Sequence, residues 1–145
     1  MSFRVRTERK YRASPSEIFA AWTEPALMTR WFHMAEPWST PLAEVDLRLG
    51  GAYRVDMFTG GGQLLTYRGT YREIDPPNRL VFSWPPLARS DVVSTVTVEL
   101  FLRPDNGTLL CLTHEGLSDD ETAGANEQGW SAVLDMLERR GPDAG

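Results

Sequence analysis

The chain changes its hydrophobic period twice, and these changes divide it into three regions. Residues 2–11 alternate between apolar and polar side chains, which predicts a strand with one side facing solvent. Ser14-Pro15-Ser16-Glu17 then combines a capping hydroxyl, a first-turn proline and a glutamate three residues after the cap. We therefore predict a short helix here, interrupted at Glu24-Pro25 and followed by a second short helix that carries Trp31 and Phe32.

The middle region, from residue 43 to residue 115, is divided by turn residues into segments that alternate. We predict six strands here, at residues 44–49, 52–58, 63–74, 80–84, 92–103 and 108–115. Asp105-Asn106-Gly107 separates the last two strands and is typical of a tight hairpin.

The last region changes to a helical period. Trp130, Val133, Leu134 and Leu137 follow the spacing i, i+3, i+4, i+7 and form one apolar stripe. We predict a helix of about 20 residues, roughly 30 Å long, that begins near residues 118–120 and ends before Gly141. Residues 141–145 are expected to form a flexible tail. One strand, two short helices, six strands and one long helix describe a single α+β domain over residues 1–145.

Composition and charge narrow the function classes. Of the 145 residues, 41% are hydrophobic and 24% are charged, as in an ordinary globular domain. The net charge is −5, with carboxylates interleaved among the basic residues, which argues against nucleic-acid binding. We expect no membrane partner and a cytoplasmic location, because no stretch approaches about 20 apolar residues and the first residues do not resemble a signal peptide.

The sequence carries no motif that dictates a reaction or a metal. Cys111 is the single cysteine, and two distant histidines with one cysteine do not form a zinc pattern. Gly60-Gly61-Gly62 lacks the lysine and hydroxyl residue of a phosphate-binding loop. We therefore predict no metal, no cofactor and no catalytic residue.

The second hairpin joins the strands predicted at residues 44–49 and 52–58. Its pattern of charged and apolar residues indicates which side of the sheet faces inward. If Leu49-Gly50-Gly51 forms a three-residue loop, Asp46 lies opposite Arg54 and Leu47 lies opposite Tyr53. This register separates charged from apolar side chains. The charged face would hold Glu44, Asp46, Arg48, Arg54 and Asp56. We interpret that face as a partly solvated charge ladder, the alternative being an acid–base cluster if the face were internal.

The opposite, apolar face and the helical stripe together predict the lining of a ligand cavity rich in aromatic side chains. The residues expected to line it are Trp31, Phe32, Tyr53, Val55, Met57, Tyr67, Phe82, Trp84, Val96, Leu112, His114, Trp130, Val133, Leu134 and Leu137. By parity His114 points inward, where it would either orient a ligand or be satisfied by neighbouring backbone.

Five segments carry a family resemblance in the same order along the chain. They are Pro15 to Trp22 with Glu24-Pro25 and Arg30-Trp31; Glu44 to Tyr53, which contains Asp-x-Arg-x-Gly-Gly; Gly69 to Pro77; Arg79 to Trp84; and Thr108 to Leu117 with Gly129-Trp130. Together they resemble the bacterial single-domain relatives of the activator of heat-shock-protein-90 ATPase, in the START-like (SRPBCC) superfamily. The resemblance implies a helix-grip fold, in which a curved antiparallel sheet of about seven strands wraps around the long C-terminal helix.

Three functional hypotheses follow. The first is a carrier or sensor that binds a small hydrophobic or aromatic molecule between the sheet and the helix. The second is a co-chaperone-like module that binds a chaperone or another protein through the charged hairpin face. The third is an enzyme of the cyclase or hydrolase type, with His114 as general base. A homodimer is compatible with all three.

Overall fold

The computed structural model describes residues 3–85, 93–117 and 120–144. The strands are β1 (Phe3–Tyr11), β2 (Ser39–Val45), β3 (Ala52–Phe58), β4 (Leu64–Asp75), β5 (Arg79–Trp84), β6 (Ser94–Leu102) and β7 (Thr108–Leu117). The helices are α1 (Pro15–Thr23), α2 (Pro25–Trp31) and α3 (Asp120–Arg140), followed by a 3-10 helix at Pro142–Ala144. The expectations for residues 2, 92, 118, 119 and 145 lie outside the described residues.

The seven strands form one curved antiparallel sheet in the order β1-β7-β6-β5-β4-β3-β2. Each strand from β2 to β6 pairs with the next strand along the chain, and β1 lies at the other edge of the sheet, where it pairs with β7. Helix α3 packs against β1, β7 and α2. The architecture is the α+β helix-grip fold that the sequence predicts.

The two short helices begin and end where the sequence indicates. The Ser14 hydroxyl accepts a hydrogen bond from the Glu17 backbone N–H, and the Glu17 carboxylate accepts one from the Ser14 backbone N–H, both at 3.2 Å. This capping box satisfies backbone donors that the first turn leaves free. Helix α2 follows directly after Glu24, which ends α1 by donating its N–H to the carbonyl of Ala20.

The core lies between the concave side of the sheet and the three helices. The stripe predicted on α3 is buried, since Trp130, Val133, Leu134 and Leu137 are all less than 5% exposed. Trp22 and Trp31 contact each other in an edge-on arrangement, with ring centroids 4.9 Å apart. The helices therefore enclose a cluster of aromatic rings.

The register predicted for the second hairpin is wrong by two residues. Strand β2 covers Ser39–Val45, so Glu44 pairs with Arg54 and Val45 pairs with Tyr53. Because the shift is even, each strand residue keeps its predicted face. The predicted inward position of Leu47 is also wrong, since this side chain is 42% exposed.

The physical reason for the different register is a longer loop, residues 46–51. The Gly50 N–H donates to the carbonyl of Tyr71 on β4, and the Gly51 N–H donates to the carbonyl of Arg48. A Cβ at Gly51 would lie 2.0 Å from the carbonyl oxygen of Asp46, so the loop closes only around glycine. These bonds fix a loop longer than the three residues expected.

The residues after Gly141 also differ from the expected flexible tail. Pro142–Ala144 form a 3-10 helix, and the Asp143 carboxylate accepts hydrogen bonds from the backbone N–H groups of Arg12 (2.8 Å) and Ala13 (2.7 Å). The end of α3 is thus joined to the connection between β1 and α1.

Candidate functional site

A cavity of about 230 Å³ lies between the first half of α3 and the inner side of β3, β4 and β5. Its walls are mostly apolar and no charged side chain contributes to them among the described residues. The lining consists of Phe32, Met34, Met57, Tyr67, Trp84, Ala125, Asn126, Gly129, Trp130 and Val133. Ala125 is exposed, and Met34 and Tyr67 are half-buried, which places the opening of the cavity between α3, β4 and the segment after α2.

Three aromatic side chains form one continuous wall of the cavity. The rings of Tyr67 and Trp84 are stacked, with centroids 4.9 Å apart and planes at 22°. Trp84 contacts Trp130 of α3, also with a centroid distance of 4.9 Å. Burial raises the pKa of the Tyr67 phenol, so this lining group stays neutral. The wall is a rigid, uncharged surface.

A glycine on β4 makes room for the packing next to this wall. A Cβ at Gly69 would lie 2.3 Å from the carbonyl oxygen of Ser83 and 2.5 Å from the ring of Tyr53. The Tyr53 hydroxyl donates a 2.6 Å hydrogen bond to that same carbonyl of Ser83. Tyr53 is thereby fixed in the core beside the cavity, and its hydroxyl points at backbone.

His114 lies behind Trp130 and does not line the cavity. The indole Nε1–H of Trp130 donates to His114 Nδ1 at 2.9 Å, and His114 Nε2 lies 2.6 Å from Ser94 Oγ. Because an indole nitrogen can only donate, Nδ1 must be the acceptor and Nε2 carries the proton. Burial lowers the pKa of His114 to about 4, so the imidazole is neutral at neutral pH.

The position of the imidazole proton argues against His114 as a general base toward Ser94. With its proton on Nε2, the imidazole donates to Ser94 and cannot accept the Ser94 hydroxyl proton. The side chain is satisfied at both nitrogens, by neighbouring side chains where neighbouring backbone was expected. In this arrangement His114 positions Trp130.

The second histidine fixes the backbone of another lining residue. Thr40 Oγ1 donates to the carbonyl of Phe32 at 2.6 Å and lies 3.1 Å from His33 Nδ1, which therefore donates to it. The Phe32 N–H donates to the carbonyl of Met28. Both backbone polar groups of Phe32 are thus bonded, while its ring borders the cavity.

The structure separates the predicted lining residues into three groups. Six line the cavity: Phe32, Met57, Tyr67, Trp84, Trp130 and Val133. Three line a much smaller void of about 10 Å³ beside it: Tyr53, Val55 and Phe82. The other six are buried but line neither space: Trp31, Val96, Leu112, His114, Leu134 and Leu137.

Four lining residues were not predicted: Met34, Ala125, Asn126 and Gly129. Three of them lie on the face of α3 that carries Val133, since Ala125 and Gly129 precede it by eight and four residues and Asn126 by seven. Helical spacing therefore carried the signal. Small side chains on the side of a helix that meets the sheet indicate where the helix leaves space unfilled.

Four of the five residues of the charged hairpin face form two separate ion pairs. Arg48 and Asp46 interact in the loop at 2.8 Å and are both well exposed. Asp56 on β3 is 5% exposed and accepts from Arg54 (2.9 Å) and from the Thr66 hydroxyl (2.9 Å). The hydrogen bond from Arg54 holds the pKa of the Asp56 carboxyl below its usual value. Asp56 is thus more buried than expected for a residue of a partly solvated charge ladder.

The described residues hold neither a metal-binding cluster nor a helix suited to crossing a membrane. No group of three or more histidine, cysteine, aspartate or glutamate side chains that could hold a metal ion occurs among them. None of the described helices combines the length and the apolar character needed to cross a bilayer.

The sheet, the long covering helix and the cavity between them define a helix-grip domain of the START-like class. The sequence profile described as Activator of Hsp90 ATPase homolog 1-like protein matches residues 12–140, and the chain belongs to this family. Membership supports a domain of the ligand-binding or co-chaperone type. No functionally curated protein matches the chain by sequence.

Solved structures from several bacteria share the fold. The AHSA1 protein of Silicibacter pomeroyi is 28% identical, with 93% of this chain and 94% of that chain covered and a TM-score of 0.79. The AHSA1-like protein of Aeromonas hydrophila is 25% identical, with coverages of 94% and 90% and a TM-score of 0.79. A protein of Chromobacterium violaceum is 24% identical, with coverages of 92% and 93% and a TM-score of 0.80, a likeness in fold alone.

Proposed function

We propose that this protein binds a small, uncharged, largely aromatic molecule in the cavity beneath α3. The observation that carries the proposal is the cavity itself, about 230 Å³ in volume and lined by four aromatic side chains, two methionines and the small residues of α3. Cavities of this kind bind ligands mainly by removing apolar surface from water, at about 25 cal/mol per Å².

The lining favours a neutral ligand over an ion. A charged group placed in the cavity would lose its hydration without gaining an oppositely charged partner, because no described lining residue is charged. The stacked rings of Tyr67 and Trp84 present a flat face to the cavity. A planar aromatic body would stack on that face or meet it edge-on, as aromatic pairs prefer.

Two glycines on α3 offer a matched test. A Cβ at Gly129 would point at Met34 Sδ, 3.9 Å away, and into the cavity, whereas a Cβ at Gly124 meets nothing within 4 Å. Gly129→Leu should therefore fill the cavity. Gly124→Leu makes the same chemical change on the same helix outside the cavity.

The measurement is a titration with N-phenyl-1-naphthylamine, a neutral dye whose emission rises in apolar surroundings. We expect the native chain and Gly124→Leu to bind it with the same Kd and Gly129→Leu to bind it at least about tenfold more weakly. Native mass spectrometry of the purified native chain would show whether a small molecule is retained. Equal affinity of the two leucine variants, or no dye binding by the native chain, would contradict the proposal.

A further inference from the structure

Among the described residues, one buried donor in the core lacks a hydrogen-bond partner. Trp22 is 3% exposed, and its indole Nε1–H has no hydrogen-bond partner among the described residues. The neighbouring indoles differ, since Trp31 donates to the carbonyl of Ala21 at 3.0 Å and Trp130 donates to His114. Burying a donor costs free energy when its hydrogen bond to water is not replaced by one to the protein. Buried donors without a partner are therefore rare.

The residue that carries this donor lines the small void beside the cavity. Trp22 lines that void together with Met28, Phe32, Tyr53, Val55, Tyr71, Leu80 and Phe82. Phe32 also lines the larger cavity, so this residue borders both spaces. The rings of Trp22 and Phe32 meet edge-on, with centroids 5.8 Å apart and planes at 89°.

Phe32 combines a fixed main chain with a side chain that borders unfilled volume. Its N–H and its carbonyl are both hydrogen-bonded, to Met28 and Thr40, which fixes the main chain. The ring borders unfilled volume on the side of the cavity and on the side of the void. A change of rotamer therefore sacrifices fewer contacts than it would in a close-packed core.

From these contacts we propose that the ligand carries one neutral hydrogen-bond acceptor, such as a ketone oxygen, on its aromatic body. This inference rests on the proposed function. The ligand turns the Phe32 ring aside, joins the two spaces and accepts a hydrogen bond from Trp22 Nε1. An indole offers a donor and no acceptor, so an acceptor is the group that satisfies it. The acceptor is uncharged because no described residue around either space is charged.

The test uses two probes with the same number of heavy atoms and similar size, 2-acetylnaphthalene, which has a ketone oxygen, and 2-isopropylnaphthalene, which has none. We expect the ketone to bind about tenfold more tightly, because one additional hydrogen bond of about 1.4 kcal/mol lowers the Kd by that factor. The chain has five tryptophans, and their indole N–H signals in ¹⁵N-labelled protein can be assigned with single Trp→Phe variants. On titration with the ketone the Trp22 indole proton should move downfield, while the hydrocarbon leaves it close to its starting position.

Substitution supplies the second readout. Trp22→Phe removes the donor and keeps an aromatic ring, so it should abolish the preference for the ketone while the hydrocarbon still binds. Trp31→Phe is the matched control, because the Trp31 N–H already has a protein partner. This control should keep the roughly tenfold preference.

The outcomes separate this inference from the proposed function. If both probes bind equally well and the Trp22 signal does not move, the indole N–H is held by neighbouring ring faces; the inference is then wrong and the cavity remains a binding site. If neither probe binds the native chain, the inference and the proposed function both fail. Because the indole signal is measured in the native chain, this result does not depend on whether Trp22→Phe folds.

Discussion

Trp130 Nε1 donates a hydrogen bond to the buried Nδ1 of His114 at 2.9 Å, so an imidazole that the cavity does not touch fixes one wall of the cavity. The bond requires a neutral imidazole, because protonation of Nδ1 would set two donors against each other. The stability of the domain and the shape of the cavity are therefore both linked to pH through one side chain.

The first prediction concerns acid stability. The pKa of His114 is about 4 in the folded protein and about 6.5 in the unfolded chain, so the folded state favours the neutral imidazole. The contribution of the neutral imidazole to the unfolding free energy is therefore complete above pH 6.5 and is lost as the pH falls toward 4. The shift corresponds to about 3 kcal/mol of unfolding free energy. Urea unfolding of the native chain and of His114→Gln between pH 7 and pH 4 checks this.

The comparison with His114→Gln isolates this residue from the carboxylates, which also take up protons in acid. We expect the variant to be less stable at pH 7 and to lose less stability on acidification than the native chain. Parallel pH profiles for the two proteins would show that His114 does not titrate in this way.

The second prediction concerns the glycines of α3. Glycine inside a helix is less favourable than alanine by about 0.5–1 kcal/mol, so Gly124→Ala and Gly129→Ala should both stabilise the domain by about that amount. Neither new methyl group would clash, since the closest contact is Met34 Sδ, 3.9 Å from a Cβ at residue 129. Thermal unfolding of the two variants measures the effect, and a lower melting temperature for Gly129→Ala would mean that the helix needs glycine there.

The third prediction concerns Gly69 on β4. An alanine Cβ would lie 2.3 Å from the carbonyl oxygen of Ser83, a backbone atom that cannot move without disturbing β5. Gly69→Ala should therefore cost about 3 kcal/mol, at the upper end of the usual range for overpacking. Gly61→Ala is the control, because its Cβ would meet only Thr59 Oγ1 at 3.8 Å. Similar urea midpoints for the two variants would contradict the predicted clash.

The fourth prediction compares the two ion pairs of the second hairpin. Arg54→Ala leaves the buried carboxylate of Asp56 without its cation, whereas Arg48→Ala breaks a pair that is exposed on both sides. Uncompensated buried charges destabilise far more than broken surface pairs. We expect Arg54→Ala to lower the urea midpoint clearly and Arg48→Ala to leave it almost unchanged. Equal effects would mean that solvent reaches Asp56.

Much of the fold could be predicted because the local spacing of apolar residues determines where strands and helices form and which side of each is buried. Strand β3 has its predicted bounds, and the buried stripe of α3 follows the spacing of its apolar residues. Parity also placed His114 inward, because alternation along a strand fixes the side on which a residue lies. The register of the second hairpin could not be predicted from local sequence. The loop at residues 46–51 is fixed by a hydrogen bond from the Gly50 N–H to the carbonyl of Tyr71, which is distant along the chain.

The cavity was harder to predict than the fold. A stripe of apolar residues shows which side of α3 meets the sheet, but it does not show where the opposing side chains fail to fill the space. Leu134 and Leu137 lie on the same stripe as Val133 and pack solidly. Ala125 and Gly129 mark the unfilled part through their small size. His114 and Trp130 could not be paired from the sequence, because their contact joins β7 to α3.

Four indoles lie in one chain of ring contacts, since Trp22 touches Trp31 and Trp130, and Trp130 touches Trp84, with centroid distances of 4.9 to 6.3 Å. Because transition dipoles this close couple, we expect the folded protein to give a strong near-ultraviolet circular-dichroism signal. That band vanishes when fixed side-chain packing is lost. The enclosure beneath α3 can therefore be monitored optically in the unlabelled protein.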